Sequence, residues 1–92
     1  MRKEAQPATL TSEQVRAARM LLRWEQKDLA ERSKVSLPTI KRLEGQPGAI
    51  RANPMTVAAI ERALADAGIV LIPENGGGSG VRLAKQHKKS RS

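Results

Sequence analysis

The chain has no cysteine, no tyrosine and no phenylalanine, and it holds one tryptophan and one histidine in 92 residues. Without cysteine there is no disulfide framework, no thiolate zinc site and no cysteine nucleophile. A single histidine, His87, makes a histidine metal cluster or a serine-type triad very hard to assemble. Paired carboxylates or a nucleophile with its base are no easier to place, so neither an enzyme nor a metal or cofactor is expected. Uninterrupted apolar runs are also short, none longer than Ile69–Ile72, against the roughly 20 residues of a bilayer-spanning helix. Residues 1–10 lack the apolar core of a signal peptide. The expectation is a soluble, cytoplasmic protein with no membrane partner.

What the chain has in excess is positive charge: 17 Lys and Arg against 9 Asp and Glu, a formal net charge of +8. So large an imbalance on a chain long enough for only one small domain points to a polyanionic partner. The excess is uneven. Residues 11–69 hold ten basic and seven acidic side chains, whereas residues 70–92 hold five basic ones and only Glu74.

Apolar periodicity and capping residues divide the middle of the chain into four helices. Thr11 stands at a helix entrance with Gln14 three residues on, a capping-box pattern, and Val15, Ala18, Leu21 and Leu22 recur at helical spacing behind it. This predicts a helix over Ser12–Leu22. Residues 26–32 form a segment of about two turns with Leu29 and Ala30 inward. Ser36 is a suitable N-cap for a third segment, 37–43, in which Pro38 lies in the first turn and Ile40 and Leu43 form the inner stripe. Gly45, Pro47 and Gly48 open a loop; Asn53 and Pro54 start a fourth helix that stops at Gly68. Beyond it, Ile69–Ile72 and Val81 to Leu83 flank the turn material from Pro73 to Gly80, which reads as a hairpin. From residue 84 onward the basic residues Lys85, Lys88, Lys89 and Arg91 have nothing to bury, which reads as a disordered tail.

The two short central helices are separated only by Ser33, Lys34, Val35 and Ser36, so they must cross steeply, as in a helix-turn-helix. Gln26-x-x-Leu29-Ala30, Val35-Ser36-x-x-Thr39-Ile40 and Glu44-Gly45 resemble the helix-turn-helix of the phage repressor and Cro-type family, also called the xenobiotic response element (XRE) family. The similarity extends back through Leu10, Val15, Arg16, Arg19, Leu22 and Trp24 and forward through Pro54, Thr56, Leu64 and Gly68, about residues 10–72 in all. It implies a mainly α fold, a lambda repressor-like bundle of four helices. The expected organisation is a flexible N-terminus (1–9), a DNA-binding domain (10–68), a strand or hairpin for dimerisation (69–83) and the basic tail (84–92).

The resemblance also implies roles. Leu37, Pro38, Lys41 and Arg42 occupy the recognition-helix positions that face base edges in the major groove. Arg42 is the candidate for a bidentate guanine contact; Leu37 and Pro38 offer apolar contact, for instance to a thymine methyl group. Gln26, Lys34, Ser36, Thr39 and Arg51 are candidates for phosphate. Arg19 and Glu44 correspond to a structural ion pair, and Trp24 to a core residue. Ile69, Val70, Leu71 and Ile72 are the candidate dimerisation strand. Two positions depart from the family pattern: Lys34 stands where a tight turn usually carries glycine, and Glu25 replaces the usual Ser, Thr or Asn cap.

The resulting expectation is a dimeric, sequence-specific transcriptional regulator, a repressor, that binds double-stranded DNA at a pseudo-palindrome. The alternative is an antitoxin or anti-activator that uses the same fold to bind a partner protein. Spacing does not separate surface from phosphate-contact roles for Arg16 and Arg23. The tail is read either as a solubilising segment or as a basic arm on DNA. Gly76 to Gly80 lacks the Lys-Ser/Thr of a phosphate-binding loop, and a flexible hairpin tip is expected there.

Overall fold

The computed structural model describes residues 10–84. The segment expected to be a flexible N-terminus, 1–9, and the tail residues Lys85, His87, Lys88, Lys89 and Arg91 lie outside the described residues. Four helices, α1 (Ser12–Leu22), α2 (Gln26–Ser33), α3 (Leu37–Glu44) and α4 (Pro54–Asp66), precede two strands, β1 (Ile69–Ile72) and β2 (Gly80–Leu83). The domain is therefore mainly helical with one antiparallel hairpin. No helix of the described residues is long and apolar enough to cross a membrane.

Local chemistry accounts for most helix ends. The Thr11 hydroxyl accepts the Gln14 N–H at 3.0 Å, and the Gln14 side chain accepts the Thr11 N–H at 3.0 Å, so a capping box starts α1. The Ser36 hydroxyl accepts the Thr39 N–H at 3.3 Å, and the Asn53 side chain accepts the Thr56 N–H at 2.8 Å. At α2 the roles are partly reversed: the Asp28 carboxylate accepts the Glu25 N–H at 2.8 Å, while the Glu25 side chain makes no cap bond. α1 closes in the Schellman manner, with Trp24 N–H on the Arg19 carbonyl and Arg23 N–H on that of Met20. Arg23, at φ 59°, fills the left-handed position that this closure requires and that glycine fills more readily.

The core joins Leu10, Val15 and Ala18 to Leu29 of α2, Ile40 and Leu43 of α3, Ile60, Ala63 and Leu64 of α4, and Ile69 of β1. The hairpin packs over α1 and α4 with Ile69 opposite Leu83 and Ile72 opposite Gly80. Its strand alternation turns Ile69 and Leu71 toward the core.

Several details differ from the sequence reading; among them, α4 ends at Asp66, short of Gly68, and β2 starts at Gly80, one residue before Val81. Of the adjacent leucines, Leu22 packs against the core, whereas Leu21 points away at 45% exposure, because a helical stripe admits one of the two fully. Trp24 is half-buried at the core's margin, with the Arg32 guanidinium 5.0 Å from its ring centroid. α2 and α3 each run one residue further than expected. In α3 the added residue is Glu44, buried and held by Arg19.

Candidate nucleic-acid interface

Lys34, Val35 and Ser36 connect α2 to α3. The chain reverses there through Lys34 at φ 65°, a left-handed conformation that a side chain with Cβ adopts at a cost of about 1–2 kcal/mol. Lys34 is exposed and makes no ion pair among the described residues. Its strain is thus not offset by a salt bridge of its own.

α3 begins with Leu37, half-buried, and Pro38, exposed. Its N-cap Ser36 donates its hydroxyl to that of Thr39 at 2.9 Å, so the two hydroxyls form one polar group on the first turn. Lys41 and Arg42 follow on the exposed face, opposite the buried Ile40 and Leu43. Neither cation has a carboxylate partner among the described residues.

A buried ion pair carries α3 against α1. Arg19 places Nε and Nη2 each 2.7 Å from the two Glu44 carboxylate oxygens, and its Nη1 donates to the Trp24 carbonyl at 3.0 Å. The side chains are 15% and 4% exposed respectively. This bidentate geometry gives direction as well as attraction and fixes the end of α3 relative to α1. It also engages Gln26, whose amide nitrogen donates to Glu44 at 3.1 Å. One of the two Gln26 amide protons is committed to the scaffold; the other, near the N-terminus of α2, has no acceptor among the described residues.

Gln26, Leu37 and Lys41 come together with Arg19, Met20, Trp24, Glu25 and Lys27 around an open groove of about 550 Å³. Lys34, Ser36, Pro38, Thr39, Arg42 and Arg51 do not line it. Met20, which was not singled out from the sequence, stands on this groove at 73% exposure. Its signal was an apolar residue at a position where the periodicity of α1 calls for a polar one.

Arg51 lies exposed in the loop between α3 and α4. That loop is tethered to the start of α1: Thr11 bridges Ala49, the Ile50 N–H donates to the Leu10 carbonyl at 3.0 Å, and the Ser12 N–H donates to the Gly48 carbonyl at 2.9 Å. The Glu13 carboxylate accepts the Gly48 N–H at 3.1 Å. Its own backbone N–H, and then that of Gly48, hold the Glu13 carboxyl below the usual carboxylate range.

In the candidate dimerisation strand, the Ile69 side chain is 4% exposed in the core and Leu71 packs against the core. These two side chains are therefore committed to the chain's own core. Val70 and Ile72 are half-buried, on the other face of the strand. The Ala84 N–H donates to the Gly68 carbonyl at 2.6 Å, which sets the phase of the ladder. In that phase the backbone groups of Ile69 and Leu71 on one edge, and of Val81 and Leu83 on the other, turn outward. They have no backbone partner among the described residues.

No three His, Cys, Asp or Glu side chains are placed to hold a metal ion among the described residues. Comparison of the chain with protein-family models and with curated proteins returns no match.

Proposed function

We infer that this chain is a sequence-specific DNA-binding regulator of the helix-turn-helix type, a repressor acting as a homodimer on a pseudo-palindromic site. The observation that carries this reading is the surface of α3: Pro38, Lys41 and Arg42 stand exposed on a two-turn helix that a buried Arg19–Glu44 pair locks at its far end. Exposed cations with no carboxylate partner among the described residues, on a short helix anchored at its far end, suit entry into a major groove about 12 Å wide. Arg42 supplies the planar fork that matches guanine O6 and N7. Lys41 reads guanine or takes phosphate, and Leu37 and Pro38 lie against thymine methyl groups. Lys34, Arg51, the Ser36–Thr39 hydroxyl pair and the free amide proton of Gln26 hold the backbone on either side. Such contacts need neither cofactor nor metal and involve no catalysis, and on this reading the protein works on the nucleoid of the cytoplasm.

One subunit offers few base contacts, so affinity requires two half-sites about one helical turn apart. The second subunit pairs along the unpaired hairpin edge, with Val70 and Ile72 at the joint. Pairing also covers an edge that would otherwise invite aggregation.

The test is selection from a random duplex pool, followed by titration of the selected site against scrambled DNA at two salt concentrations. With Lys34, Lys41 and Arg51 of two subunits on phosphates, the log–log salt slope is about −5, steeper if the tail contributes. Arg42→Glu lowers discrimination at least about tenfold per half-site. Absence of any enriched sequence overturns the reading: equal affinity for random DNA then leaves nonspecific DNA binding, and no affinity for DNA leaves the protein-binding module. Full discrimination by Arg42→Glu overturns the recognition-helix assignment.

A further inference from the structure

Gln14 is 4% exposed, and its amide is shared between parts of the chain far apart in sequence. Its Oε1 accepts the Thr11 N–H at the start of α1. Its Nε2 donates to the carbonyls of Ile72 at 3.1 Å and Gly80 at 2.9 Å, the pair that ends the β1–β2 ladder next to the hairpin tip. Capping α1 requires only the oxygen. The nitrogen's two donations, across separations of 58 and 66 residues, serve to seat the hairpin. The residue that Gln14 caps, Thr11, is bridged to Ala49, and its neighbours Leu10, Ser12 and Glu13 hold Ile50 and Gly48. Arg51 is the next residue along. Gln14 thus bonds both the hairpin and Thr11, whose chain neighbours Leu10 and Ser12 bond the loop that presents Arg51.

We propose that Gln14 is a positioning residue that couples the seating of the hairpin to the placement of the Arg51 loop, so that pairing of the hairpin with a second subunit tightens the phosphate grip of Arg51. The functional half of this inference rests on the DNA-binding reading; the coupling itself does not. Both Gln14 donor hydrogens are used in a buried setting, where unmade hydrogen bonds are costly, so the hairpin and the start of α1 do not loosen independently. Coupling is reciprocal: a ligand phosphate on Arg51 stabilises the seated hairpin by the factor by which the seated hairpin favours that phosphate.

Native-state amide exchange on the unmodified protein tests the coupling without DNA. The Ser12 and Ile50 amides, which report the loop tether, and the Ala84 amide, which reports the hairpin, are expected to open together, with one dependence on dilute urea. The Ile40 amide of α3, bonded to the Ser36 carbonyl, is the reference for the rest of the fold. In Gln14→Met, of similar length and without polar atoms, both sets exchange at least about tenfold faster relative to Ile40. Loop amides that stay protected while the hairpin opens overturn the proposal, in either protein; if Gln14→Met does not fold, the unmodified protein decides.

The functional half is read in a cycle on the selected DNA site. Arg51→Ala weakens binding about tenfold in the unmodified background and less than about threefold beside Gln14→Met. Losses that simply multiply overturn the link to Arg51. A protein that shows joint opening but selects no DNA sequence keeps the junction and loses the regulator assignment, so the two failures are distinguishable.

Discussion

Replacing Glu44 with alanine probes the junction on which α3 depends. The substitution removes the acceptor of two 2.7 Å bonds from Arg19 and one 3.1 Å bond from Gln26, all at a side chain 4% exposed. Arg19 then keeps only the Trp24 carbonyl, with 15% of its side chain open to water to compensate its charge. Breaking one side of a buried pair costs about 3–5 kcal/mol, and the residual exposure of Arg19 puts this case near the lower figure, about 3 kcal/mol. A domain of this size has roughly 4–11 kcal/mol to lose. The melting temperature followed by circular dichroism is therefore expected to fall by roughly 12–24 °C, with a matching drop in the urea midpoint. The double variant Arg19→Met, Glu44→Leu removes both charges and supplies apolar volume. It recovers most of the loss, because the penalty lies in the stranded cation rather than in the absent attraction. A Glu44→Ala variant within about 1 kcal/mol of the parent would refute the reasoning. The pair would then be screened by solvent and worth no more than a surface contact.

Other expectations follow from single residues. Lys34→Gly relieves the left-handed strain at φ 65° but loosens the unfolded chain, for a net gain of about 0.5–1 kcal/mol in urea unfolding. On the DNA-binding reading, the same variant binds the selected DNA more weakly and with a shallower salt slope. Loss of stability in Lys34→Gly would mean that the lysine side chain is held by the fold. Glu13, with its pKa lowered from 4.5 in the folded chain, contributes stability above the unfolded value, and that contribution is lost as pH falls through the folded pKa. The Gly48 amide shift in an acid titration is expected to move with a midpoint below 4.5, and Glu13→Gln is expected to abolish that transition. A midpoint at or above 4.5 would contradict the contact.

Helix starts were legible in the sequence because capping is local chemistry: Thr11, Ser36 and Asn53 each bond an N–H three residues away. Periodicity likewise indicated the inner residues of α3, Ile40 and Leu43, because a two-turn helix has room for one stripe. It could not choose between Leu21 and Leu22, which lie on adjacent faces; only the packing of α1 against its neighbours did. The candidate interface divides in the same way. Lys41 and Arg42 are exposed because they occupy the polar positions of α3, and sequence spacing alone says so. Gln26 shows the limit: the resemblance offered it only as a candidate for phosphate, and the fold ties one of its amide protons to Glu44, 18 residues away.

The shortage of aromatics and the absence of cysteine determined from the outset that this small domain has no disulfide and rests on aliphatic packing and hydrogen bonds. Which hydrogen bonds these are was a tertiary decision. Gln14 read as half of a capping box, and it is, but its nitrogen reaches carbonyls 58 and 66 residues along the chain. Glu13 lies in the first turn of α1, and its carboxylate accepts the Gly48 N–H from 35 residues away. A side chain's local bonds follow from its sequence neighbours. Its distant bonds follow from which backbone groups the packed core carries within about 3 Å of it, and no spacing rule encodes that.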